Sequence, residues 1–282
     1  MNKLLWIILP IVLLVFAVGC SSLKPAAVLN SMIPSDSYTL NTFTYGSDQR
    51  QSLDVYQPKQ ASNKPPIVFV YGGAWKQGDK RDYEFVAHAL TGLGHTVIVP
   101  NYRLYPAVRF PAFVNDVADA IRYTETNATR VLGKPMNAFI LMGHSSGAHT
   151  AALLATDRSY LNQRGVRARS VGLIAMAGPY DLPLNDAEVK PIFAGATAQK
   201  AKPTANVYSG MPPTLLLHGQ ADTRVLPFHT QRFTQALQNA GNPVTTRFYP
   251  GIDHVRIVAS LAAPLRRLSS SYNDVQAFLS RY

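Results

Sequence analysis

The sequence predicts an α/β fold: a mostly parallel central sheet with helices on both faces. Three observations predict it. Continuous apolar runs, the mark of strands buried on both faces, recur as "PIVFVY", "TVIVPNY", "NAFILMG", "VGLIAMAG", "PTLLLHG" and "VTTRFYP". Between them lie segments whose apolar residues recur at helical spacing. The 282-residue chain is 47% hydrophobic and 15% charged, the composition of a well-cored protein long enough for one such sheet.

The first element is "MNKLLWIILPIVLLVFAVGC", with one positive charge at Lys3 and an apolar run over residues 4–18. That shape is a secretory signal peptide over residues 1–19. A spanning helix needs about 20 apolar residues; this run is shorter, contains Pro10 and ends in small residues before Cys20. An uncleaved anchor with an incidental cysteine is the alternative. Cys20 is the only cysteine, so the chain forms no intramolecular disulfide. "AVGCSS" resembles a bacterial lipobox, with Ala17 where leucine is commonest. The resemblance implies lipidation at Cys20. With Ser21 carrying no inner-membrane retention signal, it also implies the outer membrane, facing the periplasm. The stretch "SSLKPAAVLNSMIPSDS" reads as a tether, giving residues 20–37 to lipidated cysteine and tether and residues 38–282 to the α/β domain.

Two short alternating segments, "YTLNTFTY" and "QSLDVYQP", predict a leading antiparallel pair before the buried strands. In "FPAFVNDVADAIRYT", Phe113, Val117, Ala120, Ile121 and Thr124 share one helical face. "SSGAHTAALLATD" is rich in alanine and leucine after a turn. "PFHTQRFTQALQNAG" places Phe233, Ala236, Leu237 and Ala240 together and stops at Gly241. "SSSYNDVQAFLSRY" closes the chain. The segment of residues 181–212, which begins within "GPYDL", is too long for an ordinary connection of about 2–6 residues. It reads as a small cap of short helices and loops.

The net charge of +11 comes from scattered basic residues. A nucleic-acid binder would concentrate them on one element, so nucleic acid is not expected as a partner. An anionic membrane surface suits the charge better.

"LMGHSSGAH" carries the chemistry. Gly143-His144-Ser145-Ser146-Gly147 matches G-x-S-x-G between a buried strand and a helix, the context that pattern requires. Such a turn strains the backbone of Ser145 and projects its hydroxyl above the sheet. A nucleophilic serine needs a base and an orienting acid, in the chain order Ser, Asp or Glu, His. Of seven histidines, only His229 and His254 come late enough, since His218 sits inside the penultimate strand. His229 lies in a helical pattern. His254 follows the last strand in "YPGIDHV" and is the base. The acid is Asp222 in "HGQADTRV", with Asp181 as its rival and Asp253 too close to His254 to help. The loop "VYGGAWKQGDK" follows the strand "PIVFV", and adjacent glycines let backbone N–H groups face a bound oxyanion. Gly73, Ala74 and Ser146 are the expected donors. A glycine hairpin packed on Trp75 is the alternative there, and Trp75 and Phe228 are either substrate contacts or core.

"YGGAW", "GHSSG", "GQADTRV" and "GIDHV" occur in the order seen in serine carboxylesterases of the α/β-hydrolase fold. More narrowly, they resemble the HGGAW-type group that includes feruloyl and acetyl-xylan esterases, kynurenine formamidases and isoprenylcysteine methylesterases. The likeness runs from Tyr45 to the C-terminus, with Tyr71 departing from the usual histidine. It implies hydrolysis of short or small esters through an acyl-enzyme on Ser145. Arylformamide hydrolysis on the same triad is an alternative, as is a non-catalytic envelope lipoprotein on the same scaffold. No cofactor is expected, and the sequence offers no H-E-x-x-H or paired cysteines to hold a metal. A prolyl-oligopeptidase-type peptidase would carry a large additional domain.

Overall fold

The computed structural model describes residues 25–34 and 36–282. An eight-stranded sheet forms its centre: β1 (Tyr38–Thr44), β2 (Ser52–Pro58), β3 (Ile67–Val70), β4 (Val97–Pro100), β5 (Ala138–His144), β6 (Arg169–Met176), β7 (Thr214–Gly219) and β8 (Val244–Tyr249). Their spatial order is β1-β2-β4-β3-β5-β6-β7-β8. β1 runs antiparallel to β2 and β2 to β4, and all remaining neighbours are parallel. All eight strands fall on the segments the sequence predicts. Every residue of β3, β4 and β7 is buried, which requires cover on both faces of the sheet. β1, mostly exposed, and β8 form the edges.

The helix Ala112–Thr126 buries Phe113, Val117, Ala120, Ile121 and Thr124, the five residues its periodicity selects. The helix Phe228–Asn239 buries Phe233 and Leu237 against β7 and β8, while Ala236 and Ala240 remain partly open. The helix Ser146–Thr156 is buried along its whole length and packs on β3, β5 and β6. Its alanines allow that close approach.

One assignment is corrected. Residues 25–31, read as tether, form the helix Pro25–Ser31 docked on the domain. Leu29 is 4% exposed. Asn30 fastens the helix at two points, donating to the Arg81 carbonyl at 2.7 Å and accepting from the Phe85 N–H at 3.1 Å. A seven-residue helix is too short to show a period in the sequence, and one buried leucine with one asparagine is enough to seat it. The 181–212 segment holds the short helix Ala198–Ala201 and a 3₁₀ turn at Pro203–Ala205, with Ile192 and Phe193 buried. Residues 1–24, including Cys20, lie outside the described residues, and no helix among those described is long and apolar enough to cross a membrane.

Strand order fixes where chemistry can occur. From β3 the chain crosses to β4 on one side, and β5 then pairs with β3 on the other, so the order of strand addition reverses at β3/β5 while the strands stay parallel. Crevices at such reversals, beyond the strands' carboxyl ends, are where open α/β sheets bind ligands. Val70 pairs with Gly143, so the chains leaving β3 and β5 emerge side by side.

Candidate active site

Ser145 leaves β5 with φ 56° and ψ −127°, a conformation that non-glycine residues rarely adopt. Two glycines make the turn possible by leaving room. A Cβ on Gly147 would lie 2.0 Å from the Val70 carbonyl oxygen, and one on Gly143 would lie 2.4 Å from that of Gly147. The serine N–H donates to the Met176 carbonyl at 2.9 Å, pinning Ser145 to the end of β6.

The three residues drawn from chain order meet in one hydrogen-bonded line. His254 Nε2 lies 2.8 Å from Ser145 Oγ, and His254 Nδ1 lies 2.7 Å from Asp222 Oδ2. All three are buried. Burial opposes ionisation of Asp222. Hydrogen bonds from His218 and His254 and the Val225 N–H outweigh it and hold the carboxyl well below the usual carboxylate range. An ionised carboxylate only accepts, so His254 Nδ1–H donates and Nε2 is free to accept from the serine hydroxyl. Asp222 Oδ1 takes the N–H groups of Arg224 and Val225, both at 2.9 Å, and so cannot swing.

The rival acid lies elsewhere. Asp181 is paired with Lys202 at 2.8 Å and with Arg232, and its N–H meets His229 Nδ1 at 3.3 Å. His229 is buried in its helix, stacked on Phe228. Arg232 covers the Phe228 ring, so that side chain is packed into its own helix.

Two histidines set aside by chain order contribute from behind. His218 Nε2–H donates to the Val225 carbonyl at 2.8 Å and lies 3.3 Å from Asp222 Oδ2, while Thr230 holds its Nδ1 at 2.6 Å. His144 Nε2–H donates to the His254 carbonyl at 2.9 Å. Burial pushes its imidazole pKa down to about 3, so it stays neutral. In the sequence, the only trace of these roles is a histidine inside an apolar strand and another beside the serine.

The loop after β3 closes over the serine. A Cβ on Gly72 would lie 2.8 Å from Ser145 Cβ, so only a glycine fits there. Gly73, Ala74 and Trp75 follow with φ of 138°, 52° and 58°. The Gly73 carbonyl takes the N–H groups of Lys76 and Gln77 at 2.9 and 3.0 Å, and the Trp75 carbonyl takes that of Tyr105 at 2.9 Å. Among the described residues, the N–H groups of Gly73, Ala74 and Ser146 have no protein acceptor. Trp75 is 3% exposed and packs against Phe113, Phe193 and His149, which makes it core.

Tyr71 straps this loop down. Its ring is stacked between Tyr83 and Tyr102, at 5.5 and 4.8 Å between centroids. Its hydroxyl donates to Asn101 Oδ1 at 2.7 Å and accepts from Arg50 Nη2 at 2.8 Å. Arg50 also donates to the carbonyls of Tyr102 and Gly78, both at 2.8 Å, joining the loop's two ends.

Two cavities differ in position. One of about 470 Å³ abuts Gly72, Gly73 and His144. The other, about 380 Å³, lies at the amino ends of β6 and β7, the sheet edge opposite Ser145.

The family model for BD-FAE matches residues 53–237. The isoprenylcysteine alpha-carbonyl methylesterase of Arabidopsis thaliana is 26% identical over 250 residues, 80% of this chain and 58% of that protein. The chain therefore spans less than two thirds of that relative's length. The kynurenine formamidase of Salmo salar is 27% identical over 241 residues, covering 79% of this chain and 77% of that protein. Among solved structures, a truncated carbohydrate esterase from gut microbiota superposes with a TM-score of 0.74 at 23% identity, over 88% of this chain and 98% of that one. That likeness shows the fold alone, the α/β-hydrolase fold.

Proposed function

The chain belongs to the BD-FAE family, and on that premise we propose that it is a serine carboxylic-ester hydrolase acting on short or small esters. The observation that carries the reading is the line Ser145–His254–Asp222, with hydrogen bonds of 2.8 and 2.7 Å and an ionised acid at its end. The names of relatives support it, as methylesterases and formamidases both cleave an acyl bond.

In this reading His254 Nε2 takes the Ser145 proton as Oγ attacks the ester carbonyl. The carbonyl oxygen becomes an oxyanion facing the N–H groups of Gly73, Ala74 and Ser146. His254 then gives its proton to the departing alkoxide, releasing the alcohol and leaving the acyl group on Ser145. Water, deprotonated by His254, attacks that acyl carbon, and collapse of the second oxyanion returns the proton to Oγ and frees the acid. Asp222 stays ionised throughout and steadies the imidazolium.

A formamide presents a nitrogen leaving group to the same steps, and the formamidase relative favours testing it as a second reading. Purified enzyme assayed with p-nitrophenyl esters from acetate to palmitate, and with an aryl formamide beside them, separates the two. Ester turnover that falls with chain length is expected, and a folded enzyme inert to every ester contradicts the reading.

The address is a separate proposal: lipidation at Cys20 and anchoring in the bacterial envelope, supported by "AVGCSS". A single acyl chain binds membranes only marginally, whereas several anchor stably. Cys20→Ala should leave an unprocessed precursor that takes up no fatty-acid label. Wild-type protein that also took up no label would contradict it.

A further inference from the structure

We propose that the cavity at the amino ends of β6 and β7 binds a phosphate ester, with Arg158, Arg167 and Arg169 holding the phosphate. The inference stands apart from the chemistry of Ser145, which lies at the opposite edge of the sheet. At about 380 Å³ the cavity falls within the range of about 300–1,000 Å³ typical of ligand pockets. Two chain segments bring the cations to it. Arg158 follows the helix Ser146–Thr156, while Arg167 precedes β6 and Arg169 opens it.

The lining holds three arginines and neither aspartate nor glutamate. Among the described residues no carboxylate pairs with any of the three; the arginines in ion pairs are others. The two acids beside them are committed. Asp157 Oδ1 takes the Ser159 N–H at 3.0 Å. Glu125 Oε2 pairs with Arg122 at 3.0 Å, and its Oε1 takes the backbone N–H groups of Arg167 and Ala168 at 2.8 and 2.6 Å. Glu125 thus fixes the strand entrance through its backbone. Three like charges on one concavity repel, and a bound anion removes that repulsion.

A buried hydroxyl points to the same ligand. Ser170 lines the cavity beside Arg169, and its Oγ is buried with no hydrogen-bond partner among the described residues. An unpaired buried hydroxyl costs stability that an acceptor oxygen would recover. Guanidiniums donate in planar forks that match phosphate oxygens, and a hydroxyl donor adds to them. A phosphate dianion has the charge and the oxygens to engage all three arginines, which a single carboxylate lacks. The remaining wall is largely apolar, with Leu154, Leu161, Val166 and Pro213, and suits an organic group carried on the phosphate.

The test follows the melting midpoint of the full chain with phenyl phosphate, at an ionic strength held constant with sodium chloride. The wild type should melt about 5 °C higher at roughly a hundredfold excess over Kd. Ser145→Ala should shift as far, and phenyl phosphate should leave kcat/KM on p-nitrophenyl acetate unchanged. Arg169→Gln and Ser170→Ala should each weaken binding about tenfold. Without ligand, Arg169→Gln should melt above the wild type, because it relieves repulsion; a variant that had merely lost structure would melt below it. Dihexanoyl phosphatidic acid, kept below its micelle concentration, identifies the source: tighter binding than phenyl phosphate marks a lipid phosphate, and weaker binding a soluble ester. No shift beyond that of chloride, an undiminished shift in both Arg169→Gln and Ser170→Ala, or a shift lost in Ser145→Ala overturns the proposal.

Discussion

His144 Nε2–H donates to the backbone carbonyl of His254 at 2.9 Å, across 110 residues of sequence. The residue before Ser145 therefore holds the loop that carries His254. His144→Phe keeps the ring and removes the donor, leaving a buried carbonyl unpaired. A misplacement of about 1 Å near the reacting atoms can lower rates about 100-fold. We expect kcat on p-nitrophenyl acetate to fall about 10- to 100-fold with KM little changed, and His144→Gln, which retains a donor, to recover most of it.

The triad variants should behave as one unit. Ser145→Ala, His254→Ala and Asp222→Asn are each expected to lower kcat by about 10⁴-fold or more, and any pair to add little. Asp181→Asn should retain most of the wild-type rate, because its partners are Lys202 and Arg232. Steady-state kinetics on the folded variants decides this. An Asp181→Asn defect equal to that of Asp222→Asn would refute the assigned acid.

Much of this was legible in the chain because it is written locally or in order. Apolar runs place the strands, the G-x-S-x-G turn places Ser145, and chain order selects Asp222 and His254. What was not legible depends on meetings between distant segments. His144 and His218 look like a turn residue and a strand residue until folding brings their partners to them. Tyr71 reads only as a departure from histidine, since Arg50 and Asn101 reach it from separate strands' ends. The docked helix Pro25–Ser31 depends on Leu29 and Asn30 finding Arg81 and Phe85, and no period announces it.

Tyr71→Phe tests the strap over the oxyanion loop. Removing the hydroxyl leaves the buried Asn101 Oδ1 and Arg50 each short of a partner, at a cost of about 1–3 kcal/mol. Urea unfolding should show that loss, and kcat should drop with it as the Gly73 and Ala74 N–H groups lose their fixed aim.

Buried neutral histidines predict a loss of stability in mild acid. Burial pushes His149 and His229 down to about 4, and His144 to about 3, from 6.5. Between those values the unfolded chain binds more protons, so stability falls as pH drops below about 6.5. For His149, fully enclosed by Trp75 and Phe193, the loss is on the order of 3 kcal/mol. Asp222 acts lower still: its contribution is complete above the ordinary carboxylate value of 3.8 and disappears as pH falls towards its depressed folded value. Denaturation at pH 7 and pH 5 should show the decline, and His149→Gln should flatten it.

The central claim is that Ser145 is an activated nucleophile. A fluorophosphonate reacts with such a serine and leaves a stable adduct that intact-mass and peptide analysis can locate. The account predicts a single adduct on Ser145 in the wild type, none in Ser145→Ala, and strongly slowed labelling in His254→Ala. Folded wild-type protein that takes up no label, or takes it up on a residue other than Ser145, would contradict it.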